Sequence, residues 1–182
     1  TFALNDQEAY AALQADMKRI VPEFVKLHIT KVGIQSGLNS QAGGVALGMV
    51  LRGAGRQPAS AISDGTLLAL ALLTATHNRD MPPLVLMDDI DHGLHLGAQL
   101  AMVEAIRRVM EVRPELQVIC TTHSPYLLNK VDVGEVRVMA LDREGHTVIR
   151  PLVEHPRVEQ LRSSLTAGEL WANLGEEWVL DG

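Results

Sequence analysis

The chain has 182 residues and a formal net charge of −6 at pH 7. This length suffices for one domain with its own hydrophobic core, and the acidic balance argues against a broad nucleic-acid-binding surface. A single cysteine, Cys120, excludes an intrachain disulfide, and we expect it to be a small buried residue of a strand. With no recognisable signal peptide and no apolar run long enough to cross a bilayer, we expect a cytoplasmic protein without membrane contact.

Helical spacing of apolar residues predicts a first helix that begins near Asn5, with Glu8 completing a capping box, and ends before Pro22. An alternating apolar pattern then predicts the first strand of a hairpin with a long loop. The hairpin strand, the Gly-rich loop, the second strand and a polar connector are expected at residues 25–32, 33–44, 45–51 and 52–60.

The central part of the chain alternates between helix and strand patterns. The expected order is helix, strand, helix and strand, at residues 66–76, 84–87, 96–113 and 116–120. A short helix near Pro125, a hairpin turning at residues 142–145 and a helical C-terminal region should follow. This order predicts an α/β fold with a mainly parallel sheet flanked by helices and antiparallel strands at one end, forming a single domain over residues 1–182.

Two apolar runs end abruptly in polar residues, and these ends carry the strongest functional signal. Residues 84–87 are followed by Asp88 and Asp89, and residues 116–120 by a Thr-Thr-His-Ser segment that contains His123. Strand ends of a parallel sheet form ligand crevices, so the two segments should meet. The set suits a magnesium nucleotide: Asp88 would hold Mg2+, usually through water, Asp89 would act as general base, and His123 would donate to a γ-phosphate.

A third segment, Ser63-Asp64-Gly65, immediately precedes a predicted helix. Backbone N–H groups at a helix N-terminus, a serine hydroxyl and a glycine can together bind an anion. Plainer interpretations stay open for each segment. Ser63 or Asp64 can be an ordinary N-cap, the acidic pair after residue 87 can be a solvated turn, and His123 can cap the helix that follows it.

Together these segments resemble the C-terminal half of an ABC-type ATPase. The most similar group is the bacterial AAA-family ATP-binding proteins related to the RecF, structural-maintenance-of-chromosomes (SMC) and OLD ATPases. The matching motifs are the signature loop, Walker B, the D-loop, the switch histidine and a C-terminal Gly-Glu-Leu-Trp sequence, at residues 62–66, 84–89, 91–95, 123 and 168–171.

The resemblance implies a protein that binds and hydrolyses ATP with Mg2+ while two heads close around the nucleotide. In this family the signature loop acts in trans, so that Ser63, Asp64 and Gly65 would face the ATP bound by the partner subunit. The D-loop residues would be Asp91, Gly93 and His95. The family usually carries Glu as general base, and the shorter Asp89 predicts slow hydrolysis.

The chain carries no P-loop sequence. Two glycine pairs have the G-x-x-x-x-G spacing, but the Lys and hydroxyl residue of a phosphate-binding loop do not follow either pair. We therefore expect an N-terminal P-loop-bearing lobe, from the same gene or a separate chain, to complete the head, which would form an ATP-dependent homodimer. The motifs leave open which downstream protein or nucleic-acid partner such a switch would serve.

Two other functions remain open from the sequence. The chain could be a non-catalytic dimerisation or docking module that completes a separate P-loop chain. It could also be a metal-dependent phosphohydrolase, since His92 and His95 follow the acidic residues closely. The four remaining histidines are scattered, and we expect solvated positions for His28, His77, His146 and His155.

Overall fold

The computed structural model describes residues 6–36, 40–80 and 82–181. The chain divides into two compact units. The first comprises Thr1–Met87 and His92–Cys120, and the second comprises Asp88–Asp91 and Thr121–Gly182. The chain therefore passes from one unit to the other at the two strand ends that carry the functional signal. That it forms a single domain stays a prediction.

The first unit begins with helix α1 (Gln7–Ile20). The carboxylate of Asp6 caps this helix by accepting a hydrogen bond from the backbone N–H of Ala9, at 2.9 Å. The capping box predicted at Asn5 lies outside the described residues. Helix α1 ends before Pro22, as predicted, because proline has no N–H with which to continue the helix.

An antiparallel hairpin follows, formed by β1 (Phe24–Ser36) and β2 (Ser40–Leu51). The predicted long loop over residues 33–44 is wrong, because the ladder continues through the glycine- and serine-rich residues up to the Ser36–Ser40 pair. Glycine weakens a strand but does not interrupt it when the partner strand supplies the backbone hydrogen bonds. Strand β3 (Gly55–Pro58) pairs with β2 inside the predicted polar connector.

The remainder of the first unit forms the predicted strand–helix–strand arrangement. Helix α2 (Asp64–His77) precedes β4 (Leu84–Met87), and helix α3 (Leu96–Val112) connects it to β5 (Gln117–Cys120). Strands β4 and β5 pair in parallel, which confirms the α/β class, and the other strand pairs of the described residues are antiparallel. The largest fully buried side chains of this unit include Leu13, Met17, Phe24, Met49, Leu73 and Met102.

The sheet of β4 and β5 has an uncovered apolar surface. Leu86 is 68% exposed, Ile119 is 60% exposed, and Leu84 is also exposed. The expectation that Cys120 is buried is also wrong, since Cys120 is exposed at the end of β5. Parallel strands are normally covered on both faces, so these side chains have the composition of a protein interior.

The second unit carries the short helices and the C-terminal hairpin. In chain order it contains α4 (Pro125–Leu128), β6 (Arg137–Leu141), β7 (Thr147–Pro151), α5 (Val158–Leu161) and α6 (Ala167–Leu174). The predicted turn at residues 142–145 is confirmed, with Gly145 at a φ of 83°. Residues Val138, Leu152, Val158, Leu170 and Val179 are among the buried members of its core.

A buried ion cluster lies among α1, α2 and α3. The carboxylate of Asp16 accepts hydrogen bonds from Arg19 (2.6 Å), Arg108 (2.8 Å) and His77 Nε2 (3.1 Å). Burial raises the pKa of Asp16, but these hydrogen bonds outweigh it and lower that pKa to about 2. The prediction of a solvated His77 is therefore wrong, because its buried ring is paired with a carboxylate 61 residues away in sequence.

The other three histidines differ in their surroundings. His146 is exposed, whereas His28 and His155 are half-buried, and the ring of His155 meets Trp178 edge-on at 5.1 Å. None of the helices in the described ranges combines the length and the hydropathy needed to span a membrane.

Candidate functional site

The parallel pairing of β4 with β5 brings the acidic residues beside the threonine pair. Met87 is in register with Cys120, so Asp88 and Thr121 are the next residues on each side. Thr121 Oγ1 donates to Asp88 Oδ1 at 2.5 Å, and the N–H of Asp89 donates to Thr121 Oγ1 at 2.9 Å. One threonine hydroxyl therefore connects both aspartates, and this contact was not part of the sequence interpretation.

A second set of hydrogen bonds fixes the residues on either side of His123. Thr122 Oγ1 donates to the carboxylate of Asp91 and accepts from the backbone N–H of Ser124, at 3.0 Å. The side chain of Ser124 is the N-cap of α4. Because Ser124 takes this position, the alternative in which His123 caps the helix is wrong, and the His123 side chain is exposed.

Asp89 adopts a left-handed backbone conformation, with φ at 49°. Among the described residues it is the single non-glycine residue with a positive φ. Such conformations cost of the order of 1 kcal/mol and are concentrated at functional sites. Two hydrogen bonds hold this turn in place: the Asp89 amide donates to Thr121 Oγ1, and the Ile90 amide donates to the Thr121 carbonyl oxygen at 3.1 Å.

Both aspartates at the end of β4 remain accessible to a cation from solution. Asp88 and Asp89 are exposed, and neither has an ion-pair partner among the residues that the structure describes. Carboxylate oxygens with a hydroxyl partner are suitable donors for Mg2+, directly or through its water. Across residues 6–36, 40–80 and 82–181, however, no three His, Cys, Asp or Glu side chains form a complete metal-binding group.

His95 has a structural role that the sequence did not predict. It is the N-cap of α3, and its Nδ1 accepts a hydrogen bond from the N–H of Ala98 at 3.3 Å. A ring nitrogen used in this way is not available to a metal ion in the same conformation. Its position in the D-loop remains an expectation from the resemblance.

The segment Ser63–Gly65 forms the N-terminus of α2. The Ser63 hydroxyl caps the helix by accepting from the N–H of Thr66 at 3.4 Å, so the plain N-cap interpretation of Ser63 is confirmed. Ser63 and Asp64 are exposed, while Gly65 is buried. The exposed side chains are placed where a further molecule could reach them.

Gly65 is buried because Gly93, in the predicted D-loop, lies directly against it. A Cβ atom at Gly65 would be 2.1 Å from the carbonyl oxygen of Gly93, a distance that no real side chain tolerates. Gly93 has a φ of 67°, which favours glycine there as well. The two glycines, both in the first unit, therefore hold the predicted signature loop and D-loop in backbone contact.

Comparison with curated proteins finds a relative that is similar to part of this chain. The chain is 30% identical to the Septu protein PtuA of Bacillus thuringiensis over 74 residues, which are 41% of this chain. The matched segment spans only 18% of the length of that relative.

Two solved structures show the same fold. One is the Smc head domain with a coiled coil and joint from Pyrococcus yayanosii, with a TM-score of 0.59, 15% identity, and coverage of 93% of this chain and 29% of that chain. The other is an SMC ATPase chain described for ATP-driven dimerization and DNA stimulated activation, with a TM-score of 0.54 and 16% identity, covering 91% of this chain and 97% of that chain. A family defined as "AAA domain, putative AbiEii toxin, Type IV TA system" matches residues 6–129, and the chain belongs to this family.

Proposed function

We propose that this chain is the lobe of an ABC-type ATPase head that carries the Walker B, D-loop, signature and switch-histidine residues, and that it hydrolyses ATP once joined to a P-loop-bearing lobe. The observation that carries the proposal is the hydrogen bond from Thr121 to Asp88. It joins the two strand ends that, in the resemblance, supply the metal-binding and phosphate-sensing residues. The SMC-like fold and the AAA family support the same function.

The proposed roles follow from the chemistry of each side chain. Asp88 holds Mg2+ through water, and the bound ion would neutralise charge on the phosphates. Asp89 accepts the proton of the attacking water. Its carboxylate is exposed on a left-handed turn and can therefore reach that water. His123, exposed between two anchored residues, donates a hydrogen bond to the γ-phosphate.

The uncovered surface of β4 and β5 supports the need for another lobe. Leu84, Leu86 and Ile119 are exposed on strands whose pairing is parallel, an arrangement that normally occurs inside a sheet covered on both faces. A partner that buries these side chains would stabilise the complex by about 25 cal/mol for each Å² of apolar surface removed from water. We propose that the P-loop-bearing lobe, from the same gene or another chain, covers this surface.

The signature and D-loop residues act on a second subunit in this proposal. Ser63, Asp64 and Gly65 face the ATP bound by the partner of an ATP-dependent homodimer, and Asp91, Gly93 and His95 form the adjoining D-loop. The N-terminus of α2 provides backbone donors for the phosphate, and the exposed Ser63 hydroxyl, which donates to Thr66 Oγ1 at 2.9 Å here, would have to rotate to add another. ATP then joins two subunits, and its hydrolysis at Asp89 releases them.

The first experiment tests the need for the P-loop lobe. Calorimetry with ATP and Mg2+ should show weak binding and no turnover for the 182-residue chain, because a P-loop supplies most phosphate contacts. Adding the P-loop-bearing lobe should restore both. Tight, magnesium-dependent binding by the chain alone would contradict the proposal, and restored binding without turnover would favour the docking module.

The second experiment distinguishes the proposed catalytic role of Asp89 from the proposed contact of Ser63 with the ATP of the partner subunit. In the complete protein, Asp89→Asn should lower turnover by about 10²–10⁴-fold and trap an ATP-bound dimer, because the amide cannot accept the proton. Asparagine also tolerates a positive φ, so the turn should be retained. Ser63→Arg should instead weaken the ATP-driven dimer and leave ATP binding by single subunits intact. Size-exclusion chromatography with and without ATP distinguishes the two variants, and turnover of Asp89→Asn at the parent rate would exclude Asp89 as the base.

A further inference from the structure

We propose that the C-terminal segment Gly168–Trp171 positions the loop that carries His123, and that it does so by holding α4 through α6. This Gly-Glu-Leu-Trp segment is one of the motifs shared with the ATPase family, and none of the roles proposed above involves it. All the contacts that carry the proposal lie within the second compact unit. The catalytic consequence rests on the function proposed for His123, whereas the structural consequence does not.

Gly168 makes the closest approach between α6 and α4. A Cβ atom at this position would lie 1.9 Å from the carbonyl oxygen of Pro125 and 2.4 Å from Oδ1 of Asn129. The backbone of α6 therefore rests on the backbone of α4, and any side chain larger than hydrogen must push the helices apart. Thr166 adds a second connection, since its hydroxyl has two acceptors within reach, Asn129 Oδ1 at 2.6 Å and Glu169 Oε2 at 2.8 Å.

The other three residues of the segment fix α6 itself. Glu169 completes a capping box by accepting from the backbone N–H of Thr166 at 2.9 Å. Leu170 is fully buried in the core of the unit, and Trp171 packs against that core. Helix α6 is therefore fixed to the core of the unit, and glycine is required where it meets α4.

Helix α4 transmits this support to His123. The helix begins at Pro125 immediately after its N-cap Ser124, and the Ser124 amide is bonded to Thr122. His123 lies between these two anchored residues. A shift of Pro125 must therefore move the backbone that carries the imidazole, and a misplacement of about 1 Å at a reacting group can lower a rate by about 100-fold. Gly168 is thus a positioning residue.

The structural test is hydrogen exchange in the complete protein. Gly168→Ala should speed exchange of the α4 amides that bond to Ser124 and Pro125, at residues 127–129, relative to the parent protein. Gly134→Ala is the matched control, because a Cβ at Gly134 meets nothing within 4 Å and its backbone needs no positive φ. Unchanged exchange at residues 127–129 in Gly168→Ala would overturn the proposal.

The kinetic test separates positioning from general loss of stability. Gly168→Ala should lower kcat for ATP by about 10–100-fold and change KM by less than about two-fold, because the P-loop lobe supplies most binding contacts. Val158→Ala, a buried core position of the same unit, should lower Tm without this loss of kcat. Equal loss of kcat in both variants at equal loss of Tm would assign Gly168 a merely structural role.

A milder variant covers the case in which Gly168→Ala does not fold. Asn129→Ala removes the exposed side chain that lies beside Thr166 and keeps the approach of Gly168 to the Pro125 carbonyl oxygen. It should produce the same pattern of faster exchange and lower kcat at about two- to five-fold. If the parent protein has no ATPase activity, the proposed function fails, and the exchange measurement alone still decides the role of Gly168.

Discussion

The carboxylate of Asp16 and those of Asp88 and Asp89 differ in burial and in the kind of group that donates hydrogen bonds around them. Asp16 is 3% exposed, and it is paired with two arginines and a histidine of the same unit. Asp88 and Asp89 are exposed, and their hydrogen bonds come from a threonine hydroxyl and backbone groups. A buried carboxylate needs cationic partners within the protein, whereas an exposed carboxylate is stabilised by water and can bind a cationic ligand. The difference distinguishes a structural carboxylate from two candidate functional ones.

The largest difference in stability should appear when an aspartate is replaced by asparagine at the buried or at the exposed position. Asp16→Asn should lower the free energy of unfolding by about 3 kcal/mol, because the buried position loses the anion that accepts hydrogen bonds from buried His77 and from the partly exposed Arg19 and Arg108. Asp88→Asn, at an exposed position, should change it by less than about 0.5 kcal/mol. Urea denaturation of the two variants measures both values. Equal destabilisation by the two changes would remove the distinction between the groups.

The same comparison predicts an acid-dependent loss of stability. Because the pKa of Asp16 falls from 3.8 to about 2 on folding, its contribution is fully present above pH 4 and is lost as the pH falls toward 2. The shift corresponds to roughly 2 kcal/mol. Unfolding free energies measured from pH 5 to pH 2 should show this slope in the parent protein. In Asp16→Asn this part of the slope should be missing, and a persistent slope would assign it to other carboxylates.

The smallest expected effects concern the two arginines that bond to Asp16, whose replacement should lower the free energy of unfolding by different amounts. The Arg108 side chain is 39% exposed and that of Arg19 is 55% exposed, although both bond to the same carboxylate oxygen. Arg108→Met should cost about 1–2 kcal/mol and Arg19→Met less than about 1 kcal/mol, because solvent screens the more exposed pair. Thermal unfolding of the two variants provides the comparison. The reverse order would indicate that Arg19 is the principal partner of Asp16.

Local pattern was sufficient to predict most of the elements that position the site. The strands before Asp88 and Thr121 are short apolar runs between polar residues, and their bounds were predicted to within one residue. The N-terminus of α2 followed from a serine before a helical pattern. The hairpin was predicted too short, because its pairing through glycine-rich residues depends on the partner strand and leaves little local signal.

Contacts between distant residues could not be predicted from the pattern. The burial of His77 depends on Asp16, and the need for glycine at position 65 depends on Gly93. Likewise, the positive φ of Asp89 is held by a threonine on the neighbouring strand. Residue type and spacing were enough to identify the candidate residues, but the hydrogen bonds that orient them form only when the strands pair. The roles assigned to Asp88, Asp89 and His123 stay predictions.

Cys120 is a natural probe next to the surface where we propose the P-loop lobe docks, since it follows Ile119 along β5, on the opposite face of the strand. It is the only cysteine of the sequence, and its residue is exposed at the end of β5, beside Thr121. A maleimide dye would therefore label the chain at one defined position without any engineered substitution. Slower labelling, or a shifted dye emission, on addition of the P-loop lobe would report docking in real time and give its affinity by titration.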